Sequence, residues 1–208
     1  MPGAYPERMS WSRPAGDREL VQIIDAALAD AAQKAGKWLA CRPGCTQCCV
    51  GAFAISVLDT ARLRDGFELL QQRDRARAER VSHRARAFVA RTASEFPGNP
   101  QTGILSEDEN AQEAFSHFAN DEPCPALDPD TGTCDLYEYR PMTCRVFGPP
   151  VRNEGGGLGI CELCFRGATH QQIADCEMTP DPENLEQSIL DEMPSNSENT
   201  IVAFVLAK

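Results

Sequence analysis

Long hydrophobic runs are missing from this chain. The longest, residues 201–207, falls far short of the ~20 residues that a helix needs to cross a bilayer, so no membrane partner is expected. Residues 1–17 lack the apolar stretch of a secretory signal, and a cytoplasmic location is therefore expected. Positive charge is in deficit, with 20 Lys and Arg against 31 Asp and Glu and a net charge of −11. A chain of that balance has no basic footprint for phosphates, so no nucleic-acid partner is expected. Histidine is scarce, at three residues, and no serine or cysteine nucleophile constellation with an obvious histidine base can be read. The run Gly155-Gly156-Gly157 lacks the Lys-Ser/Thr ending of a phosphate loop. No catalytic residue is assigned, and whether the chain is an enzyme stays open.

Sulfur is what the chain has in excess. The run Cys41-Arg42-Pro43-Gly44-Cys45-Thr46-Gln47-Cys48-Cys49 holds four thiols within nine residues, and Cys124, Cys134, Cys144, Cys161, Cys164 and Cys176 follow. Core packing does not call for four small sulfurs in a Pro-Gly turn. Thiols two or three residues apart on a turning backbone can converge on one soft metal ion or one iron–sulfur cluster. A secreted reading would pair the ten as five disulfides, but the missing signal and the tight spacing oppose it. The expected partner is a metal ion or cluster, with a protein partner as a further reading.

A soft thiolate set selects zinc or iron–sulfur without saying which. Adjacent Cys48 and Cys49 cannot comfortably chelate one single ion, so they serve neighbouring sites or one of them bridges. That pair and the surplus of sulfur exceed the needs of one zinc ion, which tilts the expectation toward iron–sulfur. The spacing Cys41-x3-Cys45-x2-Cys48 is also that of radical S-adenosylmethionine enzymes. Gln47 stands where those carry an aromatic residue, and no βα repeat follows to build their barrel.

Residues 1–16 read as a flexible arm, 17–178 as the cysteine-cluster domain, and 179–208 as an acidic tail. From Asp17, Leu20, Ile23, Ile24, Ala27, Leu28, Ala31, Ala35 and Trp38 recur at helical spacing and lead into the cysteine turn. Phe53, Ile55 and Val57 alternate like a short strand, and Asp59 is placed to cap a short helix that breaks near Gly66. A second long helix is expected over 67–96. Its arginines, Arg73, Arg75, Arg77, Arg80, Arg84, Arg86 and Arg91, read as a solvated face pairing with the acidic remainder or as a docking surface. Ser106 with Glu109 forms a capping box for a helix carrying Phe115 and Phe118. Asp128-Pro129-Asp130-Thr131-Gly132 spells a tight turn. The stretch 175–198 has eight acids and no base and reads as solvated; residues 200–206 read as a terminal strand.

Cys41 to Cys49, Pro123-Cys124-Pro125-Ala126-Leu127, and the block Gly132-Thr133-Cys134-Asp135-Leu136-Tyr137-Glu138-Tyr139-Arg140-Pro141-Met142-Thr143-Cys144-Arg145 carry a family resemblance. The chain resembles the YkgJ-like cysteine-cluster proteins, zinc- or iron-chelating domains, across residues 41–176. The resemblance implies Cys41, Cys45, Cys48, Cys49, Cys124, Cys134, Cys144 and Cys164 as metal ligands, with Cys161 an alternative to Cys164. A similar cluster in flagellin lysine methylases keeps a cluster-dependent modifying enzyme as an alternative, beside a structural zinc module. Tyr137, Arg140 and Arg145 read as donors that offset the thiolate charge, or as a core residue and a helix end. His83, His117 and His170 are assigned no role, and Cys176 reads as dispensable. The expected fold is mainly α with irregular cysteine-rich loops and one or two short strands, a single domain stapled by iron–sulfur cluster or zinc.

Overall fold

Leu20, Ile24, Ala31 and Ala35 fall on one face of a 3.6-residue period and are all buried, so the first helix forms where the apolar spacing puts it. The structure is a computed structural model and describes residues 13–153, 156–193 and 198–208. Helix α1 is Asp17–Ala35, and the 3₁₀ turn Gly36–Trp38 leads from it into the cysteine turn. Along the chain follow α2 (Val57–Arg73), α3 (Arg75–Thr92), α4 (Glu109–His117), α5 (Met142–Val146), α6 (His170–Ala174), α7 (Leu185–Glu192) and α8 (Val202–Leu206). Three antiparallel pairs lie between them: β1 (Gly98–Asn99) with β2 (Ile104–Leu105), β3 (Leu127–Asp128) with β4 (Thr133–Cys134), and β5 (Val151–Arg152) with β6 (Leu158–Gly159). The fold is mainly α, with the cysteines carried on irregular loops. No helix among the described residues is long and apolar enough to cross a membrane.

The expected terminal strand is a helix. Val202, Ala203, Phe204, Val205 and Leu206 are buried on every side, wedged between α2 and α3, and only Thr200 pairs in strand fashion, with Ile55. A short apolar run with no alternation suits a buried helix as well as a strand, and packing decided here. The stretch 179–208 is not a solvated tail either, because α7 lays Ile189 against the α1 cluster, with Met193 just beyond it. The expected arm lies mostly outside the described residues; at its end, Arg13 pairs with Asp65 at 2.8 Å and Asp17 at 3.3 Å. Gly155 and residues 194–197 of the acidic stretch also lie outside them.

The long second helix is two helices. Asp74 adopts an extended φ of −148° and accepts from Arg77 N, starting α3 one residue after α2 stops. Helix α2 begins at Ser56, whose hydroxyl accepts from Asp59 N, and it runs through Gly66 unbroken. Gly66 is needed for close approach: a Cβ there would stand 2.3 Å from the Tyr139 ring. Helix α4 is capped by Asp108, not by Ser106, whose hydroxyl instead donates to Asp108. Of the alternating Phe53, Ile55 and Val57, only Ile55 pairs, and Val57 already opens α2.

Beneath the helices lies a buried ion group. Arg62, 1% exposed, donates to Asp59 at 2.5 Å and to Asp17, tying α2 to the start of α1. The same Asp59 oxygen accepts from Met142 N at 2.9 Å, so the start of α5 is fixed to α2 as well. Charges this deep persist only when paired and hydrogen-bonded. Together these contacts seat α5, and with it Cys144, against the helical core.

Candidate metal centre

The cysteine turn is built by two local bonds. Cys45 N donates to Arg42 O at 2.9 Å, and Cys49 N to Thr46 O at 2.8 Å, closing the 3₁₀ turn Gln47–Cys49. The chain then runs antiparallel to 122–124: Val50 bridges Pro123, Cys124 N donates to Cys49 O at 2.7 Å, and Gly51 N to Glu122 O at 2.9 Å. That pairing brings Cys124 beside the Cys48–Cys49 pair. Leu127 N donates to Cys124 O, and Leu127 pairs with Cys134 across the hairpin, so the turn at 128–132 folds Cys134 back toward Cys124.

The arginine-bearing helix holds this hairpin. Arg77 and Arg84 both donate to Asp135 at 2.5 Å, and Asp135 has a side chain 1% exposed. Arg84 also donates to Pro125 O at 2.9 Å. Two cysteine-flanking residues are therefore clamped to α3. Arg91 reaches Glu122 and Arg75 reaches Glu79, as the pairing reading of that face expects.

Five thiols act on one another here. Cys49 donates toward Cys48 and pulls its pKa down to about 6, with Arg140 also lowering it, while Cys49 itself is pushed up by sharing that proton. Burial first, then the nearby Cys134, pushes Cys124 up to about 12. Cys134 is raised by burial, and Cys144 is raised well above the thiol range by burial and then by Cys124, Cys134 and Cys48. Crowded, dry thiols resist ionisation because each thiolate would face others in low dielectric. A bound cation reverses that balance and draws the protons off.

The remaining ligand candidates gather at a second place. The Ala40 N–H donates to the Cys164 sulfur at 3.3 Å, and Phe165 N donates to Trp38 O at 2.8 Å, joining the end of the α1 segment to the 161–165 loop. Cys161 N donates to Gly148 O at 3.4 Å, and a Cβ at Gly148 would sit 2.8 Å from the Cys41 sulfur. Gly148, at φ +127°, thus leaves a cradle in the backbone that only glycine provides. Cys41 is pushed up to about 12 by burial, then by Cys164, Cys45 and Cys161. Cys161 is raised by burial and by Cys164, against the backbone N–H groups of Leu163 and Cys164, which lower it.

Cys176 shares this second place differently. It is 5% exposed and packs with Ala35, Cys161, Cys164 and Phe165 in one apolar cluster, so it is a buried packing residue and not part of an acidic surface. Arg140 lies over the Tyr137 ring at 4.0 Å and lowers both Cys48 and Cys134, which fits a charge-offsetting role. Tyr137 is 56% exposed and fills no core. Arg145 points elsewhere: it holds Asp25 of α1 at 2.8 and 2.9 Å and donates to Glu138 O. His170 opens α6 on the exposed surface.

The donor chemistry fits a soft metal. All ten cysteines are free thiols, nine of them in the two gatherings, and the Gly148 cradle keeps the backbone clear of a sulfur. Among the described residues, no group of three or more His, Cys, Asp or Glu side chains stands where it could hold a metal ion. Sequence spacing pointed to the Cys41–Cys49 turn, and the family resemblance implied the later sulfurs. Neither gave a sign of the Arg77–Asp135–Arg84 clamp or of Gly148, which are tertiary contacts without a local pattern.

No curated protein and no solved structure matches the chain. Residues 40–164 match the family model described as "CxxCxxCC: Putative zinc- or iron-chelating domain", which takes in every cysteine except Cys176. The match covers more than half of the 208 residues, and the chain belongs to that CxxCxxCC family.

Proposed function

We propose that this protein binds an iron–sulfur cluster or zinc through Cys48, Cys49, Cys124, Cys134 and Cys144. The observation that carries the reading is the backbone pairing that brings segments bearing Cys49, Cys124 and Cys134 together: Cys124 N donates to Cys49 O, and Leu127 pairs with Cys134 across the hairpin. Membership in a zinc- or iron-chelating family supports it. Five sulfurs, two of them adjacent, exceed the four of a single zinc ion, and this favours a cluster. Such a group supplies either a redox centre or a rigid cross-link.

The chain's own residues do the rest. Arg77 and Arg84 hold the hairpin that presents Cys134, Asp59 fixes the start of the helix that presents Cys144, and Arg140 offsets thiolate charge. The test is purification without oxygen followed by iron, zinc and acid-labile sulfide analysis. Iron with sulfide, and absorption that bleaches on reduction, is the expected result; zinc without sulfide would leave binding intact and replace the cluster. A chain carrying no metal after reconstitution with either sinks the reading.

A further inference from the structure

We propose that the outward face of α3 is a docking surface for a carboxylate-rich segment of another protein, seated beside the hairpin that bears Cys124 and Cys134. The proposal stands on surface charge and does not depend on what the sulfurs bind.

Charge is distributed unevenly in this chain. Between 73 and 91 stand seven arginines against two acids, Asp74 and Glu79, in a protein whose net charge is −11. The helical period sorts them. Ala78, Val81, Ser82, Ala85, Phe88 and Thr92 are buried, on the side where α3 meets α2 and α8, and Arg80, His83 and Arg86 are left exposed.

The edges of the helix are already satisfied within the chain. Arg77 and Arg84 hold Asp135, Arg91 holds Glu122 and Arg75 holds Glu79. Among the described residues, the side chains of Arg80, His83 and Arg86 make no ion pair or hydrogen bond. A chain with 31 acids thus leaves this positive charge turned outward and uncancelled.

A shallow, open groove of about 400 Å³ runs here, lined by Ala76, Glu79, Arg80, His83 and Arg84. Arg80 and Arg84, one turn apart, reach an occupant from the same side, and His83 and Arg86 continue the surface along the helix. Arg84 also links the groove to Asp135 and Pro125 O, so an occupant lies next to the residues that flank Cys134 and Cys124.

Carboxylates are the chemistry that this helix already selects. Each ion pair that α3 makes is to an Asp or Glu, and a guanidinium fork matches a carboxylate. A long nucleic acid is disfavoured, because a polyanion that reaches past α3 meets a chain of net charge −11. A short acidic segment covers the positive face alone, and the opposed charges steer its approach.

The test uses the full-length protein and a fluorescein-labelled, glutamate-rich peptide, read by fluorescence anisotropy at low and at high salt. A neutral Gly/Ser peptide of the same length is the blank. The acidic peptide should bind at low salt and weaken as salt rises. Arg80→Glu combined with Arg86→Glu should weaken it about tenfold or more, since two attractive charges become repulsive. Arg18→Glu combined with Lys34→Glu makes the same change of charge at exposed sites on α1 and should leave affinity within about twofold. Helical circular dichroism, unchanged in both, excludes unfolding as the cause. Absence of binding at low salt overturns the proposal, and so does equal weakening by the two double variants. Tighter binding of a single-stranded DNA oligonucleotide, lost in the same α3 variant, assigns the face to nucleic acid and overturns it too. Self-association of the chain that the α3 variant dissolves would seat a second copy there, with the same consequence.

Discussion

The Ala40 N–H donates to the Cys164 sulfur at 3.3 Å across 124 residues of chain. With Phe165 N on Trp38 O, it makes the end of the first helical segment and the last cysteine pair one structural unit. Gly148 lies against the same unit, and alanine there would meet the Cys41 sulfur at 2.8 Å while holding a φ of +127°. Gly148→Ala should therefore expose Cys41 to alkylation in the metal-loaded protein and lower zinc content. Unchanged Cys41 protection in that variant would show that the cradle does not matter.

Metal removal should loosen the second half of the chain before the first. Helices α1, α2 and α3 have their own apolar contacts and the Asp17–Arg62–Asp59 group, whereas the loops that bear cysteines have strands of two residues. Apparent binding free energies of structural metals reach roughly 10 kcal/mol, enough to order such loops. Limited proteolysis of the chelated protein should cut first within 120–180. Cutting that stays unchanged after complete metal removal would show that the loops stand without it.

Single serine substitutions should separate ligands from packing. Cys124→Ser, Cys134→Ser and Cys144→Ser are expected to lower metal per chain, since oxygen is a poorer donor to a soft ion. Cys176→Ser should keep metal content but lose about 1–3 kcal/mol of stability, because it places a hydroxyl in the apolar cluster with Ala35 and Phe165. Metal analysis beside chemical denaturation gives both numbers. If Cys176→Ser empties the protein of metal while Cys144→Ser leaves it full, the ligand assignment is wrong.

Arg84 is expected to matter for metal without touching it. It holds Asp135, next to Cys134, and Pro125 O, next to Cys124. Arg84→Ala leaves a side chain 1% exposed, Asp135, with only Arg77, and should cost about 1–3 kcal/mol. Metal affinity should weaken in step, because two ligands lose their common anchor. The equivalent change at the unclamped Arg86 should leave both properties as they are.

How far the sequence could be read follows from which forces were local. Helix α1 was legible because its apolar period and its entry into a Pro-Gly turn are written in neighbouring residues. The hairpin at 128–132 was legible for the same reason, since Asp128 makes its own turn by accepting from Asp130 N. The break at Asp74 carries no Gly or Pro, so a single capping carboxylate divided a helix that composition would have continued. The α8 run was misread because nothing in Val-Ala-Phe-Val-Leu records that α2 and α3 surround it. At the site, spacing picked out the Cys41–Cys49 turn, and the family resemblance implied the later sulfurs. Their grouping depended on Gly148, Ala40 and Asp135, which take their meaning from partners far along the chain.

The contribution of Glu186 to stability should fall as pH rises toward neutrality. Its pKa is pushed up to about 7 from an ordinary 4.5, by burial first and then by Asp59, with Arg62 opposing and Asp181 and Asp17 adding. The folded chain then holds a proton that the unfolded chain has already released, so the folded state binds more protons between about 4.5 and 7. The slope of that contribution with pH is negative in that window: it is fully present below 4.5 and lost as Glu186 ionises toward 7. Glu186→Gln keeps the shape and removes the charge, so it should flatten this slope and leave the variant more stable than the parent at pH 8. Urea denaturation of both proteins at pH 5, 6.5 and 8 measures it. Parallel pH profiles for the two would show that the carboxyl is solvated well enough to ionise freely in the folded state.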